Sequence, residues 1–213
     1  MSVREKVARR ASKAGLTLPD ALVERLEAYF QLLRKWNRRV SLTSLPVEDA
    51  GDEAIDRLLV EPLLAARFLP GPAAKAIDIG SGGGSPAIPL KLAAPGISMR
   101  MVESKTRKAA FLREVVRALS LSDTVVDALR FEELLVRPAL HETADVITMR
   151  AVKVEGRTLA GLQFFLKPGG LLLLFGTRSG LADAATPQLI PVATHPLLKQ
   201  WGSQLEVLRK ASL

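Results

Sequence analysis

At 213 residues the chain can bury one substantial core and stands near the upper size for a single domain. It has no cysteine and only two histidines, His141 and His195, which excludes a disulfide framework, a thiolate nucleophile and a cysteine zinc site; no metal is expected. Thirty Lys and Arg against 22 Asp and Glu give a net charge of +8, a balance that favours a polyanionic partner, RNA first.

The chain opens with Arg4, Glu5 and Lys6 and no apolar stretch of secretory type. No uncharged apolar run reaches membrane-spanning length, so a cytoplasmic protein without a membrane partner is expected. Helices are predicted over 2–14 and 18–39; in the second, Leu18, Leu22, Leu26, Phe30 and Leu33 form one apolar face. Two basic clusters ride on them: Arg4, Lys6, Arg9, Arg10 and Lys13, then Arg34, Lys35, Arg38 and Arg39. Each reads either as a solvated helix face or as a set of phosphate contacts, and Trp36 either as core or as a stacking platform for a base. A third helix over 53–69 is stopped by Pro70-Gly71.

Strands and helices then alternate: strand 74–79, helix 87–93, strand 98–103, helix 105–119, strand 123–127, short helix 131–136, strand 144–149, helix 156–166 and strand 171–175. A loop at 180–189 and two strands near 189–194 and 204–210 follow. This alternation implies an α/β, doubly wound, mostly parallel sheet. With no internal repeat or linker, 1–213 is read as one domain, a helical cap (1–69) on a Rossmann-like core (70–213).

The stretch Ala76-Ile-Asp-Ile-Gly-Ser-Gly-Gly-Gly-Ser-Pro86 reads as strand, tight turn and helix start. Ser85 suits a helix cap and Pro86 the first helical position. Glycines at 80, 82 and 84 let the backbone take positive φ and pass close to a ligand. Glu103 ends the next strand, 23 residues past Gly80, where an acid can take both ribose hydroxyls of an adenosine; a solvated strand-end acid is the competing reading. A dinucleotide fingerprint wants glycine at 85, where this chain has serine, and there is no phosphate-binding Gly-Lys-Ser/Thr. The pattern therefore favours S-adenosylmethionine over a dinucleotide.

Trp36-Asn37, Ser41-Leu-Thr-Ser44, Asp78 to Leu90, Glu103-Ser104 with Arg107-Lys108 and Phe111-Leu112, Arg130-Phe-Glu-Glu133 and Met149-Arg-Ala151 follow one another in the order of a known family. In these residues the chain resembles the RsmG family, also called glucose-inhibited division protein B, from about residue 15 to 180. The resemblance implies a class I S-adenosylmethionine-dependent methyltransferase acting on N7 of a guanine in small-subunit (16S) ribosomal RNA, alone or within the small subunit. It carries Gly80, Gly82 and Ser85 onto the donor loop, Glu103 onto the ribose side, Phe131 and Glu132 onto the adenine side, and Arg150 onto an arginine facing the site. Phe131 also reads as core, Glu132 as a helix-start acid, and Arg150 as a salt-bridge partner of Glu132 or Glu155. Asp78 either reaches the donor's amino group or caps the glycine turn.

Several positions depart from the family pattern: Leu58 replaces its histidine, Glu61-Pro62 its Asp-Ser pair, Ala87 a glycine, Met149 a serine and Gly176 a lysine. The departures keep open a paralogue that binds donor or RNA without turnover, and a methyltransferase of small molecules or proteins is a further alternative. Guanine N7 already has a lone pair, so the expected chemistry is alignment without a general base. Arg150 is the first candidate for orienting the guanine edge, with Arg57 and Arg178 behind it.

Overall fold

The computed structural model describes residues 1–150, 156–177 and 186–212. Helix α1 (Val3–Lys13) is started by a reciprocal cap: Glu5 N–H donates to Ser2 Oγ at 3.1 Å, and Ser2 N–H to Glu5 Oε2 at 2.8 Å. Helix α2 (Asp20–Asn37) buries Val23, Leu26, Tyr29, Phe30 and Leu33, the stripe its spacing predicts. The predicted third helix is an irregular rod. It runs from α3 (Asp52–Ile55) through a π-turn (Asp56–Val60) and α4 (Glu61–Ala65) to a 3₁₀ turn (Ala66–Phe68).

Pro62 accounts for part of that irregularity. It has no N–H to give the Leu58 carbonyl four residues back, and the Glu61 N–H reaches five back, to Asp56. The rod is held from outside by Asp56, fully buried, which accepts from Arg10, from Gln200 Nε2 at 2.9 Å and from Trp201 Nε1 at 2.7 Å.

The sheet is doubly wound, as the alternation predicts. Its strands are β1 (Lys75–Ile79), β2 (Ser98–Val102), β3 (Thr124–Asp127), β4 (Ala144–Arg150), β5 (Leu166–Thr177), β6 (Leu189–Pro196) and β7 (Ser203–Lys210). They lie in the order β3-β2-β1-β4-β5-β7-β6, with β1 to β5 parallel and β7 antiparallel between β5 and β6. Helices α5 (Ala87–Ala93), α6 (Thr106–Ala118) and α7 (Gly156–Leu162) make the crossovers. One core cluster joins Val7 of α1 and Phe30 of α2 to Met99 and Met101 of β2 and Phe111 of α6. A second, with Ile77, Ile147, Leu159 and Leu172, covers the opposite face.

Three elements differ from expectation. Residues 131–136 form only a 3₁₀ turn (Phe131–Leu134), because Pro138 follows closely and opens a second short turn (Pro138–Leu140). Helix α7 ends at Leu162 rather than 166, and Leu166 instead pairs with Ala144. Strand β5 is correspondingly longer than predicted, passing the Pro168-Gly-Gly170 punctuation by a register shift between Ala144 and Val146.

Candidate functional site

The C-terminal ends of β1, β2 and β4 open into a cavity of about 590 Å³. Its floor is the turn 80–85. Gly80, Gly82 and Gly84 have φ of 71°, 49° and 88°. At Gly84 a side chain has no room: a Cβ would stand 2.8 Å from Ile88 Cγ1 and 3.4 Å from the Tyr29 hydroxyl. The turn is braced from β2, whose Val102 carbonyl accepts from Gly80 N–H at 2.9 Å and Ser81 N–H at 3.1 Å. It is braced from α2 by the buried Tyr29 hydroxyl, which donates to the Gly83 carbonyl at 2.6 Å.

Glu103 is buried at the cavity wall and is not a solvated acid. Its Oε2 accepts from Gly82 N–H at 2.9 Å and its Oε1 from Lys105 N–H at 2.8 Å, so one carboxylate ties the glycine turn to the approach of α6. Each oxygen keeps a second acceptor position.

Asp78 lies beneath the turn, 1% exposed. Oδ1 accepts from the Thr148 hydroxyl, while Oδ2 is buried with no partner. Burial pushes its carboxyl up to about 6, against the opposing pull of the nearby Ser81 and Thr148 hydroxyls and the Arg150 charge. Its side chain does not cap the glycine turn; the Ser81 hydroxyl bonds its main-chain carbonyl at 3.1 Å instead.

Ser85 lines the cavity but caps no helix. Its hydroxyl donates at 2.8 Å to the Leu58 carbonyl, to which Pro62, four residues on, has no N–H to give, and α5 starts at Ala87 with Pro86 as its N-cap. The opposite wall comes from the loop after α2. Asn37 Oδ1 accepts from Leu42 N–H at 2.9 Å and Thr43 N–H at 3.0 Å, folding Ser41 to Ser44 over the cavity. Lys108 and Leu33 complete that side.

Arg150 reaches the cavity from the end of β4. Glu132, exposed on the 131–134 turn, is not its partner, and Glu155 lies outside the described residues. Nη1 donates at 2.7 Å to Oε2 of Glu61 on α4, because the irregular rod packs its buried acid against the strand end. The guanidinium sits over the Phe175 ring at 4.7 Å. Its Nε and Nη2, and Glu61 Oε1, are buried without a hydrogen-bond partner among the described residues. Burial, opposed by Glu61, pulls the Arg150 pKa down.

Other predicted residues fall elsewhere. Phe131 and Glu132 do not line the cavity: Phe131 packs beside Gly161 of α7, where an added Cβ would stand 3.1 Å from its ring. Arg57 bridges Glu53 at 3.2 Å on its own helix, and Arg178 lies outside the described residues. In the α2 cluster, Arg38 pairs with Glu48 at 2.9 Å and Arg34 stands 4.0 Å from the same acid. Lys35 and Arg39 are exposed without acidic partners among the described residues; with Arg107 they border a groove of about 520 Å³. Trp36 lines that groove and packs on Phe111, centroids 5.8 Å apart, so it serves the core while keeping some exposure.

Sequence reasoning alone missed Tyr29, Leu33, Lys108 and Glu61 as shapers of the site. The Trp-Asn and Ser-Leu-Thr-Ser pairs were the available signal for the loop wall, since Asn37 builds it.

A family model described as rRNA small subunit methyltransferase G matches residues 22–187. A Roseiflexus castenholzii protein named ribosomal RNA small subunit methyltransferase G is 38% identical over 148 residues, 70% of this chain and 62% of that protein. A Stenotrophomonas maltophilia protein of the same name is 37% identical over 168 residues, 75% of this chain and 71% of its own. The match thus spans about three-fifths of the Roseiflexus relative's length. Among solved structures, a SAM-dependent methyltransferase from Aquifex aeolicus superposes with a TM-score of 0.56 over 78% of this chain and 96% of its own; at 17% identity it speaks for the fold alone. By the family match and these relatives, the chain belongs to the rRNA small subunit methyltransferase G family.

Proposed function

We propose that this protein is an S-adenosylmethionine-dependent methyltransferase acting on N7 of a guanine in small-subunit ribosomal RNA, working as one domain in the cytoplasm. The observation that carries the reading is the glycine turn braced by Glu103 at the mouth of a cavity, in a chain of this family. The donor set fits the methyl donor. Glu103 offers two acceptor positions toward a ribose, the turn at Gly80, Gly82 and Ser85 brings backbone close to the cavity, and Asp78 Oδ2 is a buried acceptor without a donor. A dinucleotide fits less well, because the Ser85 hydroxyl and Pro86 stand where a pyrophosphate would need a free helix N-terminus.

When bound, S-adenosylmethionine supplies an electrophilic methyl group. Guanine N7 carries a free lone pair, so no side chain has to remove a proton, and the protein's work is proximity and alignment. Arg150 is the alignment residue in this reading: it lines the cavity, and two of its buried donors have no partner among the described residues. O6 and N7 are both acceptors on the guanine edge, so a cation donating to O6 orients the base while N7 stays open. Lys35 and Arg39 are the RNA-docking cations, since Arg34 and Arg38 are drawn to Glu48. Two of the departures meet the site: Leu58 lines the cavity and its carbonyl holds the Ser85 hydroxyl, and Glu61 supplies the carboxylate that Arg150 bonds.

Incubation with labelled donor and unmodified small-subunit RNA, as naked RNA and as small subunits, tests the reading. Label on a single guanine N7 is expected. Label elsewhere, or on protein or small molecules only, would contradict it.

A further inference from the structure

We infer that Glu61 is the positioning residue for Arg150, fixing the guanidinium so that Nε and Nη2 are the donors left for the acceptor base. The inference rests on the reading of Arg150 as the alignment residue. Glu61 is 1% exposed and does not line the cavity, so whatever it does for the reaction it does through Arg150. Its Oε2 holds Nη1 at 2.7 Å, and the Phe175 ring, 4.7 Å from the guanidinium carbon, holds the plane from one face. A planar fork restrained at one nitrogen and one face has little freedom left, and its remaining donors point in set directions.

The pair is poorly arranged as a mere brace. Buried ion pairs stabilise only when their other lone pairs and protons are also satisfied, and here three atoms are not: Glu61 Oε1, Arg150 Nε and Arg150 Nη2. The helix that presents Glu61 is irregular at this point. The π-turn adds a residue to one turn just before Glu61, which rotates everything after it by roughly 100° about the helix axis. The rod is pinned on its outer side through Asp56 and on its inner side through Ser85 and the Leu58 carbonyl. Glu61 is thereby delivered to the end of β4 from a fixed support.

The test compares single-turnover methylation of small-subunit RNA, at saturating RNA and donor, with donor affinity measured by calorimetry. Glu61→Gln is expected to slow transfer roughly 10- to 100-fold, the scale of a misaligned reactant, while donor affinity stays within about twofold. Glu61→Asp keeps the charge but shortens the reach, so its rate should fall between those of wild type and Glu61→Gln. Glu61→Gln combined with Arg150→Gln should be no slower than Arg150→Gln alone, because the two residues act as one unit. Wild-type rates in Glu61→Gln or Glu61→Asp, or losses that simply add in the double variant, would overturn the inference; the Asp variant serves if the Gln variant does not fold. A wild-type protein that binds donor but methylates no RNA would sink the proposed reaction itself, an outcome told apart by the silence of the unaltered enzyme.

Discussion

The two halves of the cavity are built on opposite principles. On the donor side, the polar groups of the glycine turn are answered by protein: Gly82 N–H by Glu103, Gly80 and Ser81 N–H by Val102, and the Gly83 carbonyl by Tyr29. On the acceptor side, Arg150 and Glu61 stand 89 residues apart in sequence and leave three buried atoms unanswered. A satisfied network holds a shape; an incompletely satisfied one waits for a ligand. The turn of the donor half is therefore a braced cradle with one unanswered buried atom beneath it, Asp78 Oδ2, whereas the acceptor half leaves three open among the described residues.

The largest effect expected from breaking the cradle is at Gly84. Gly84→Ala combines a positive φ with an overlap onto Ile88 and should cost about 2–5 kcal/mol of stability, with loss of donor binding. Gly82→Ala tests the same turn where space is open, its nearest atom 3.7 Å away, and should cost only about 1–2 kcal/mol, for the backbone alone. Thermal unfolding and calorimetry on both variants separate the two causes.

Asp78 gives the cradle a pH signature. A carboxyl raised in the folded state stabilises fully below its unfolded value, and that contribution is lost as pH rises through the folded one. With Asp78 raised from 3.8 to about 6, stability should fall by about 3 kcal/mol as pH climbs from about 4 to above 6. Asp78→Asn should remove this dependence from a melting-temperature profile. An unchanged profile would mean that Asp78 does not titrate there.

Much of the donor half was legible because its signals are local. A β-branched run, three glycines and an acid at the next strand end each imply a backbone event within a few residues, and the doubly wound, mostly parallel sheet followed from alternation. What could not be read depended on distant contacts. Ser85 has the chemistry of a cap, yet its hydroxyl goes to the Leu58 carbonyl, on a rod 27 residues back in the sequence. Glu132 was a near acid for Arg150, whereas its partner among the described residues, Glu61, comes from a helix whose π-turn no periodicity announces. Phe131 had equal claims as core and as adenine contact, and Gly161, by leaving room beside it, favours packing.

The basic cluster sharpens the contrast between answered and unanswered charge at smaller cost. If Lys35 and Arg39 contact phosphates, Lys35→Gln with Arg39→Gln should flatten the salt dependence of RNA affinity by roughly 1.4–1.8, at about 0.7–0.9 per contact. Arg34→Gln with Arg38→Gln should change it less, because Glu48 already engages both. RNA affinity measured against salt for wild type and the two double variants decides this, and slopes equal to wild type in both would make the whole cluster a solvated face.

Donor calorimetry on wild type, Glu103→Ala and Arg150→Ala tests the division of the cavity most directly. Loss of two ribose hydrogen bonds should weaken S-adenosylmethionine binding in Glu103→Ala roughly 10-fold or more, whereas Arg150→Ala should bind it within about twofold of wild type and fail only in methyl transfer. Unchanged affinity in Glu103→Ala, or a donor defect in Arg150→Ala as large as that of Glu103→Ala, would contradict it.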